Sequence, residues 1–114
     1  MYLHSPRERF DRAQQELDGI EHSGERVAEL QTQEQALLAQ MAAVGEQLTA
    51  QRREAAVRLS WAIESELTDL NMAQARFDVA LGRAAAPDGV PVAGQRVRFD
   101  ATGLDQVEFL ISPN

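Results

Sequence analysis

The residue types that most often carry catalysis are scarce in this sequence. His4 and His22 are the two histidines, and neither has a second histidine or a carboxylate at the spacing of a metal site. The serines lack a GxSxG turn, and the absence of cysteine removes thiol catalysis, disulfides and cysteine-based zinc sites. The sequence therefore predicts no catalytic residue and no metal ligand, and both histidines are expected on solvated surfaces.

The charged residues exclude one cofactor site and argue against one class of partner. Lysine is absent, so a phosphate-binding loop of the GxxxxGK[ST] type cannot be built, and no cofactor is predicted for this chain. Glu21, Glu25 and Glu29 recur every four residues, which is most simply a solvent-facing row. The formal net charge of −7 argues against this chain being a main electrostatic contact with nucleic acid.

One arginine cluster keeps a possible contact with DNA open. Arg52, Arg53 and Arg58 could bind DNA phosphates or the acidic groups of a partner. The simpler interpretation is a solvated helix face, and the sequence favours that interpretation about threefold.

A long helix is the element that carries these residues. Ser5 and Glu8 form an S-x-x-E capping box with Pro6 between them, and no proline follows as far as Leu70. The helix is predicted to begin at Pro6, to be irregular across residues 20–24, where the apolar repeat slips at a glycine, and to end near Asn71.

Apolar residues repeat along this helix in alternating steps of three and four, as in a coiled coil. The seam predicted to contact a partner helix consists of Leu30, Leu37, Met41, Val44 and Leu48. No second helical stretch of similar length exists in the chain, so the partner helix must come from elsewhere. Trp61, Ile63 and Leu67 are expected to leave the coiled coil and to cover a small globular body.

Beyond the helix the apolar period changes from helical to alternating. Strands are predicted around Phe77–Leu81, Val97–Phe99 and Val107–Ile111, with a mobile loop from Ala84 to Gly94. Leu110 makes the last strand apolar on both faces, as in a covered sheet. The predicted fold class is α+β: a long coiled-coil-forming helix followed by a three-stranded antiparallel β meander. The predicted domains are residues 1–58, an arm, and residues 59–114, the end of the helix with the strands.

Two stretches of the sequence resemble a known family: RREAAVRLSWAIESELTDLNMAQARFDV, residues 52–79, and GLDQVEFLISPN, residues 103–114. The first fills a pattern EL..L.M..A.F.V with Glu66, Leu67, Leu70, Met72, Ala75, Phe77 and Val79. The second fills a pattern G.D.VEFL.S.N with Gly103, Asp105, Val107, Glu108, Phe109, Leu110, Ser112 and Asn114. Together they resemble the RecN family of bacterial DNA double-strand-break repair proteins, SMC-like members of the ABC ATPase group.

The resemblance implies that the chain is a fragment holding the returning coiled-coil helix and the first strands of the C-terminal half of an ATPase head. ATP and Mg are implied for the full-length protein, whose nucleotide-binding motifs lie outside these residues. The implied partners are the antiparallel helix, the other half of the head, further copies of the protein, and DNA through the full-length protein.

An alternative hypothesis is a free-standing structural or chaperone-like protein of the prefoldin type, with a helical arm on a small β body. Neither hypothesis involves a membrane, because no apolar run of about 20 residues and no signal peptide is present. The expected location is the cytoplasm, associated with the nucleoid if the RecN resemblance holds.

Overall fold

The computed structural model describes residues 5–113, so His4 and Asn114 lie outside the described part. Helix α1 extends over Pro6–Asp69. The predicted capping box is confirmed: the Glu8 amide donates to Ser5 Oγ, and the Ser5 amide donates to Glu8 Oε2, both at 3.1 Å. These reciprocal bonds satisfy two of the amides that the first helical turn leaves without partners.

The C-terminal end of α1 is also where the sequence placed it. Asn71 has φ 65°, a left-handed conformation that asparagine tolerates better than most residues. The Met72 amide donates to the Leu67 carbonyl at 2.7 Å, and the Asn71 amide donates to the Thr68 carbonyl at 3.0 Å. This pair of bonds is a Schellman motif with Asn71 in the position where glycine is most common.

The irregularity predicted across residues 20–24 is wrong, because this stretch is helical throughout. A single glycine costs a helix about 1 kcal/mol relative to alanine, and the flanking residues are mostly good helix formers. A slip in the apolar repeat therefore does not require a break in the backbone hydrogen bonding.

Four strands follow the helix: β1 Arg76–Gly82, β2 Ala85–Val92, β3 Gln95–Val97 and β4 Gln106–Ser112. Strand β1 pairs antiparallel with β4, and β2 pairs antiparallel with β3. The α+β class is confirmed, whereas the predicted three-stranded meander is wrong: there are two two-stranded sheets among the described residues.

The largest error concerns Ala84–Gly94, which is β2 and the start of a turn rather than a loop. Val90 and Val92 alternate with proline and bury their side chains. Proline is tolerated because β2 has only one neighbouring strand. Ala93 and Gly94, with φ 52° and 79°, make the two-residue turn that joins β2 to β3. Strands β2 and β3 with this turn are called the hairpin below.

The contacts of the chain divide it into residues up to Leu37 and residues from Leu38 onward. The first unit is helical from Pro6 onward. In the second unit, Val90, Val92, Val97 and Leu104 form the buried cluster, with Leu38, Met41, Ala42 and Phe99 packed against it. The boundary predicted between residues 58 and 59 concerns segments of a larger protein and stays a prediction.

Gly45 allows Leu104, which follows the hairpin in the chain, to lie close to the helix. A Cβ atom at Gly45 would lie 2.6 Å from Leu104 Cγ, so the side chain of Leu104 occupies the space that any larger helix residue would fill.

Across the described part of the chain, no helix is both long and apolar enough to span a bilayer.

Candidate partner-binding surface

The β1–β4 pairing gathers six apolar side chains on one side of the sheet. Directly opposite residues of an antiparallel pair point to the same face. The cross-strand pairs are Phe77 with Ile111, Val79 with Phe109, and Leu81 with Val107. The rings of Phe77 and Phe109 have centroids 5.7 Å apart, as expected for diagonal neighbours on one face. These six residues are called the apolar sheet face.

Much of the apolar sheet face is in contact with solvent. The side chains from β4 are the most open: Phe109 is 65% exposed and Ile111 61%. The β1 members Phe77, Val79 and Leu81 are half-buried. Contiguous apolar surface of this kind commonly marks a protein–protein contact. Leu110 on the opposite face is exposed too, so the described residues leave both faces of β4 partly uncovered.

A groove separates β1 from the helix. Its volume is about 500 Å³, and its lining includes Arg53, Val57, Trp61, Glu64, Phe77 and Val79. The Phe77 amide donates to Glu64 Oε1 at 3.2 Å and closes one end. Trp61, predicted to cover the strands, is 74% exposed, whereas Ile63 and Leu67 are half-buried.

The other end of the sheet is held by a buried polar cluster around Asp105. The Asp105 side chain is 1% exposed, and its Oδ2 accepts from Thr49 Oγ1 at 2.8 Å and from Arg52 Nη1 at 3.1 Å. Arg52 also donates to the Thr102 carbonyl. Arg83 Nε lies 3.7 Å from Asp105 Oδ1. Thr49, Arg52, Arg83 and Asp105 are called the Asp105 joint.

These two attachments fix the direction of β1 along the helix. The Phe77 amide is hydrogen-bonded to Glu64, while the Arg83 side chain contacts Glu46 and Thr49. Helix residues 49 to 64 span roughly 22 Å at 1.5 Å per residue, and residues 77 to 83 span about 20 Å in a strand. The matching lengths explain how β1 is attached at both ends while the groove stays open between them.

The arginines predicted as possible DNA or partner contacts are not equivalent in the structure. Arg52 is bonded within the chain through the Asp105 joint. Arg53 lines the groove, and Arg58 lies exposed on the helix. A contact with DNA or an acidic partner stays a prediction, and among the three it fits Arg53 and Arg58 better than Arg52.

The predicted seam residues also separate into two groups. Leu30, Leu37 and Val44 follow one another at intervals of seven and are exposed. Met41 packs against the buried cluster of the hairpin, and Leu48 lies beside Gly103, where an added Cβ would come within 2.8 Å of Leu48 Cδ2. Two seam positions are thus covered by this chain, and contact of the others with a partner helix stays a prediction.

The Asp105 joint is the feature that reasoning from the sequence missed. Gly103 and Asp105 carried the resemblance to the family, but nothing in the sequence connected them to Thr49 and Arg52. The structure supplies the reason for the G.D spacing: Gly103 allows close approach to the helix, and Asp105 bonds to it. The sequence pattern identified Gly103 and Asp105 but did not show which helix residues they contact.

Comparison of the sequence with known proteins finds relatives of this chain. Proteins named DNA repair protein RecN are similar to the chain in Streptomyces coelicolor, at 37% identity over 79 residues, and in Mycobacterium tuberculosis, at 34% over 104 residues. The alignments cover 69% and 87% of this chain. No protein-family model and no solved structure matches the chain.

The relatives are bacterial DNA repair proteins, and the resemblance seen in the sequence is confirmed. The chain is homologous to one segment of these RecN proteins. It spans only 14% to 18% of the length of these relatives.

The residues of this segment do not fit a nucleotide site of the phosphate-loop type, because the chain has no lysine. Within residues 5–113, no group of three or more histidine or acidic side chains is placed to hold a metal ion. The exposed apolar surfaces among the described residues include the apolar sheet face and the seam residues Leu30, Leu37 and Val44.

Proposed function

We propose that this chain supplies the coiled-coil arm and part of the head scaffold of a RecN-like, SMC-family ATPase that acts in recombinational repair of DNA double-strand breaks. The observation that carries the proposal is the exposed apolar sheet face in a chain homologous to RecN. A sheet with six apolar side chains on one face is stabilised when another layer covers it. In this proposal the other half of the head is that layer.

The helix has a corresponding role in the proposal. Leu30, Leu37 and Val44 repeat at intervals of seven and are exposed, which favours an antiparallel partner helix from the same protein. Each such side chain contributes roughly 1.5 to 3 kcal/mol when it is fully buried, so covering the row would stabilise the arm substantially.

Other properties of the complete protein are part of the same proposal. ATP and Mg bind to the remaining portion of the head, while this segment contributes no nucleotide contact. The assembled protein forms homo-oligomers, binds DNA and works in the cytoplasm at the nucleoid. The RecN relatives favour this proposal over the free-standing prefoldin-like alternative.

A segment exchange tests the proposal in cells. The part of Streptomyces coelicolor RecN that aligns with this chain is replaced by the chain, and the chimaera is expressed in a strain lacking its own RecN. Survival after treatment that breaks both DNA strands should rise toward that of the parent strain.

Matched variants of the chimaera then test the surfaces. Phe109→Asp in the apolar sheet face and Val44→Asp in the exposed row should each abolish the protection, whereas Ala43→Asp on an exposed helix position should retain it. A chimaera that accumulates at the normal level but gives no protection would contradict the proposal.

A further inference from the structure

The Asp105 joint lies at a special place in the sheet. The last cross-strand pair of β1 and β4 is Gly82 with Gln106. Arg83 follows directly after Gly82, and Asp105 comes directly before Gln106, so the two residues flank the same end of the sheet. Because Thr49 and Arg52 belong to α1, the joint connects the helix to both strands at once.

The two oxygens of Asp105 are unequally satisfied. Oδ2 accepts hydrogen bonds from Thr49 and Arg52, whereas Oδ1 is buried and accepts none. Arg83 Nε lies 3.7 Å from Oδ1. A buried carboxylate oxygen without a hydrogen bond is unfavourable, so there is a physical gain available if Arg83 moves closer.

Arg83 also contacts a second carboxylate. Its Nη1 lies 2.7 Å from Glu46 Oε1, and its Nη2 donates to Thr49 Oγ1 at 3.3 Å. The Glu46 side chain is 46% exposed, so its attraction for Arg83 is weakened by solvent in a way that the attraction of Asp105 is not. A shift of about 0.8 Å would bring Arg83 Nε within normal hydrogen-bond distance of Oδ1.

We infer that the Asp105 joint is a two-setting coupling between α1 and the β1–β4 sheet, in which Arg83 is shared between Glu46 and Asp105. In the open setting, the one described above, Arg83 is bonded to Glu46 and Oδ1 is unsatisfied. In the closed setting Arg83 bonds to Oδ1, so the adjoining ends of β1 and β4 are fastened to each other.

The inference concerns contacts within this chain and does not depend on the proposed function. It makes an unusual prediction, because removing an ion pair on the surface should tighten the sheet. Glu46→Ala frees Arg83 to bond to Asp105. Amide protons of β4 that pair with β1 should then exchange with solvent about threefold more slowly, or slower still.

Three further variants complete the test. Glu34→Ala removes a glutamate from an exposed position of the same helix and should leave β4 exchange unchanged. Arg83→Gln and Asp105→Asn remove the closed setting and also bonds of the open setting, so each should speed β4 exchange about tenfold. The Arg83 Nε proton should itself become protected from solvent exchange in Glu46→Ala.

The Glu46→Ala variant decides the matter even if Asp105→Asn does not fold, because it alters only a half-exposed side chain. Slower exchange in β4 together with a protected Arg83 Nε proton supports the two settings. Unchanged or faster exchange in β4 overturns them, since Arg83 would then be a fixed partner of Glu46 and the joint would have a single arrangement.

Discussion

The hairpin and the β1–β4 sheet have similar apolar alternation but very different burial. Val90 in the hairpin is 1% exposed, while Val107 in β4 is 49% exposed. The hairpin lies against the helix at Leu38, Met41 and Ala42, whereas a groove of about 500 Å³ separates β1 from the same helix. The apolar period of a strand therefore establishes that one face needs cover, and it leaves open which element provides that cover.

The difference arises from residues outside the strands. Gly45 leaves space for Leu104, and Gly103 allows the chain to approach Leu48, so the segment next to the hairpin packs directly on the helix. The lining of the groove beside the β1–β4 sheet contains no glycine, and its helix residues include Ala56, Val57, Ser60 and Trp61. Glycine at the points of closest approach therefore allows the direct packing beside the hairpin.

The largest effect is expected from breaking the hairpin at Gly89. A Cβ atom there would lie 2.0 Å from the Val97 carbonyl oxygen and 2.5 Å from its carbon, both backbone atoms that cannot rotate away. Gly89→Ala should lower the free energy of unfolding by about 3 kcal/mol or more.

Chemical denaturation measures this loss, and hydrogen exchange should locate it in the hairpin. Gly24→Ala is the matched control, because a Cβ atom there meets nothing within 4 Å. This change should stabilise α1 by about 0.5 to 1 kcal/mol. Equal stability of the two variants would contradict the close contact at Gly89.

The comparison itself is tested by making one change in both regions. Val90→Ala removes two methyl groups from a buried site and should cost about 2 kcal/mol. Val107→Ala removes the same groups from a half-exposed site and should cost about 0.5 kcal/mol. Urea titrations of the two variants give both values, and similar costs would mean that the apolar sheet face is covered in solution, for example by self-association.

A smaller, stabilising effect is expected at the hairpin turn. Ala93 has φ 52°, in the left-handed region that asparagine occupies more readily than alanine. Ala93→Asn should raise the free energy of unfolding by about 0.5 to 1 kcal/mol.

The control for the turn uses the same position. Ala93→Val places a β-branched residue in that conformation and should destabilise the hairpin. In thermal unfolding followed by circular dichroism, the melting temperature of Ala93→Asn should therefore lie above that of the parent chain and that of Ala93→Val below it. A shift in the same direction for both variants would show that the turn has another conformation.

The smallest effect is expected from the titration of Asp100. The Thr102 hydroxyl and amide both donate to its carboxylate, and these bonds hold the pKa of Asp100 below its usual value. A lowered folded-state pKa means that the stabilisation is present above the unfolded-state pKa and is lost as pH falls through the folded-state pKa.

NMR titration of Asp100 should show this lowered pKa, and Thr102→Val should raise it toward the ordinary range because the hydroxyl donor is lost. The neighbouring amide bond remains in the variant, so the recovery should be incomplete. A pKa that does not respond to Thr102→Val would contradict the side-chain contact as its largest cause.

Local patterns in the sequence predicted the parts of this fold that local contacts decide. The capping box at Ser5 and Glu8, the end of the helix near Asn71, and strands β1 and β4 all follow from residues close together in the chain. Strand β2 was missed because Pro87, Gly89 and Pro91 are typical of loops, and only pairing with β3 makes their placement at a sheet edge clear.

The candidate site was predictable only in part, for a related reason. A heptad repeat indicates that Met41 and Leu48 need cover, but it does not distinguish a partner helix from a hairpin of the same chain. The Asp105 joint connects residues more than fifty positions apart, so no periodic pattern reports it. Such contacts follow from the tertiary fold rather than from local propensity.

The last cross-strand pair of the β1–β4 sheet has a consequence for the evolution of the chain. Everything between Gly82 and Gln106 leaves the sheet and returns to it at adjacent positions. An excursion whose ends already meet can lengthen, shorten or be exchanged without shifting the register of the strands that flank it, because the cost of closing a loop grows only slowly with its length. The hairpin is thus a place where the chain can change in length while the register of β1 and β4 is kept.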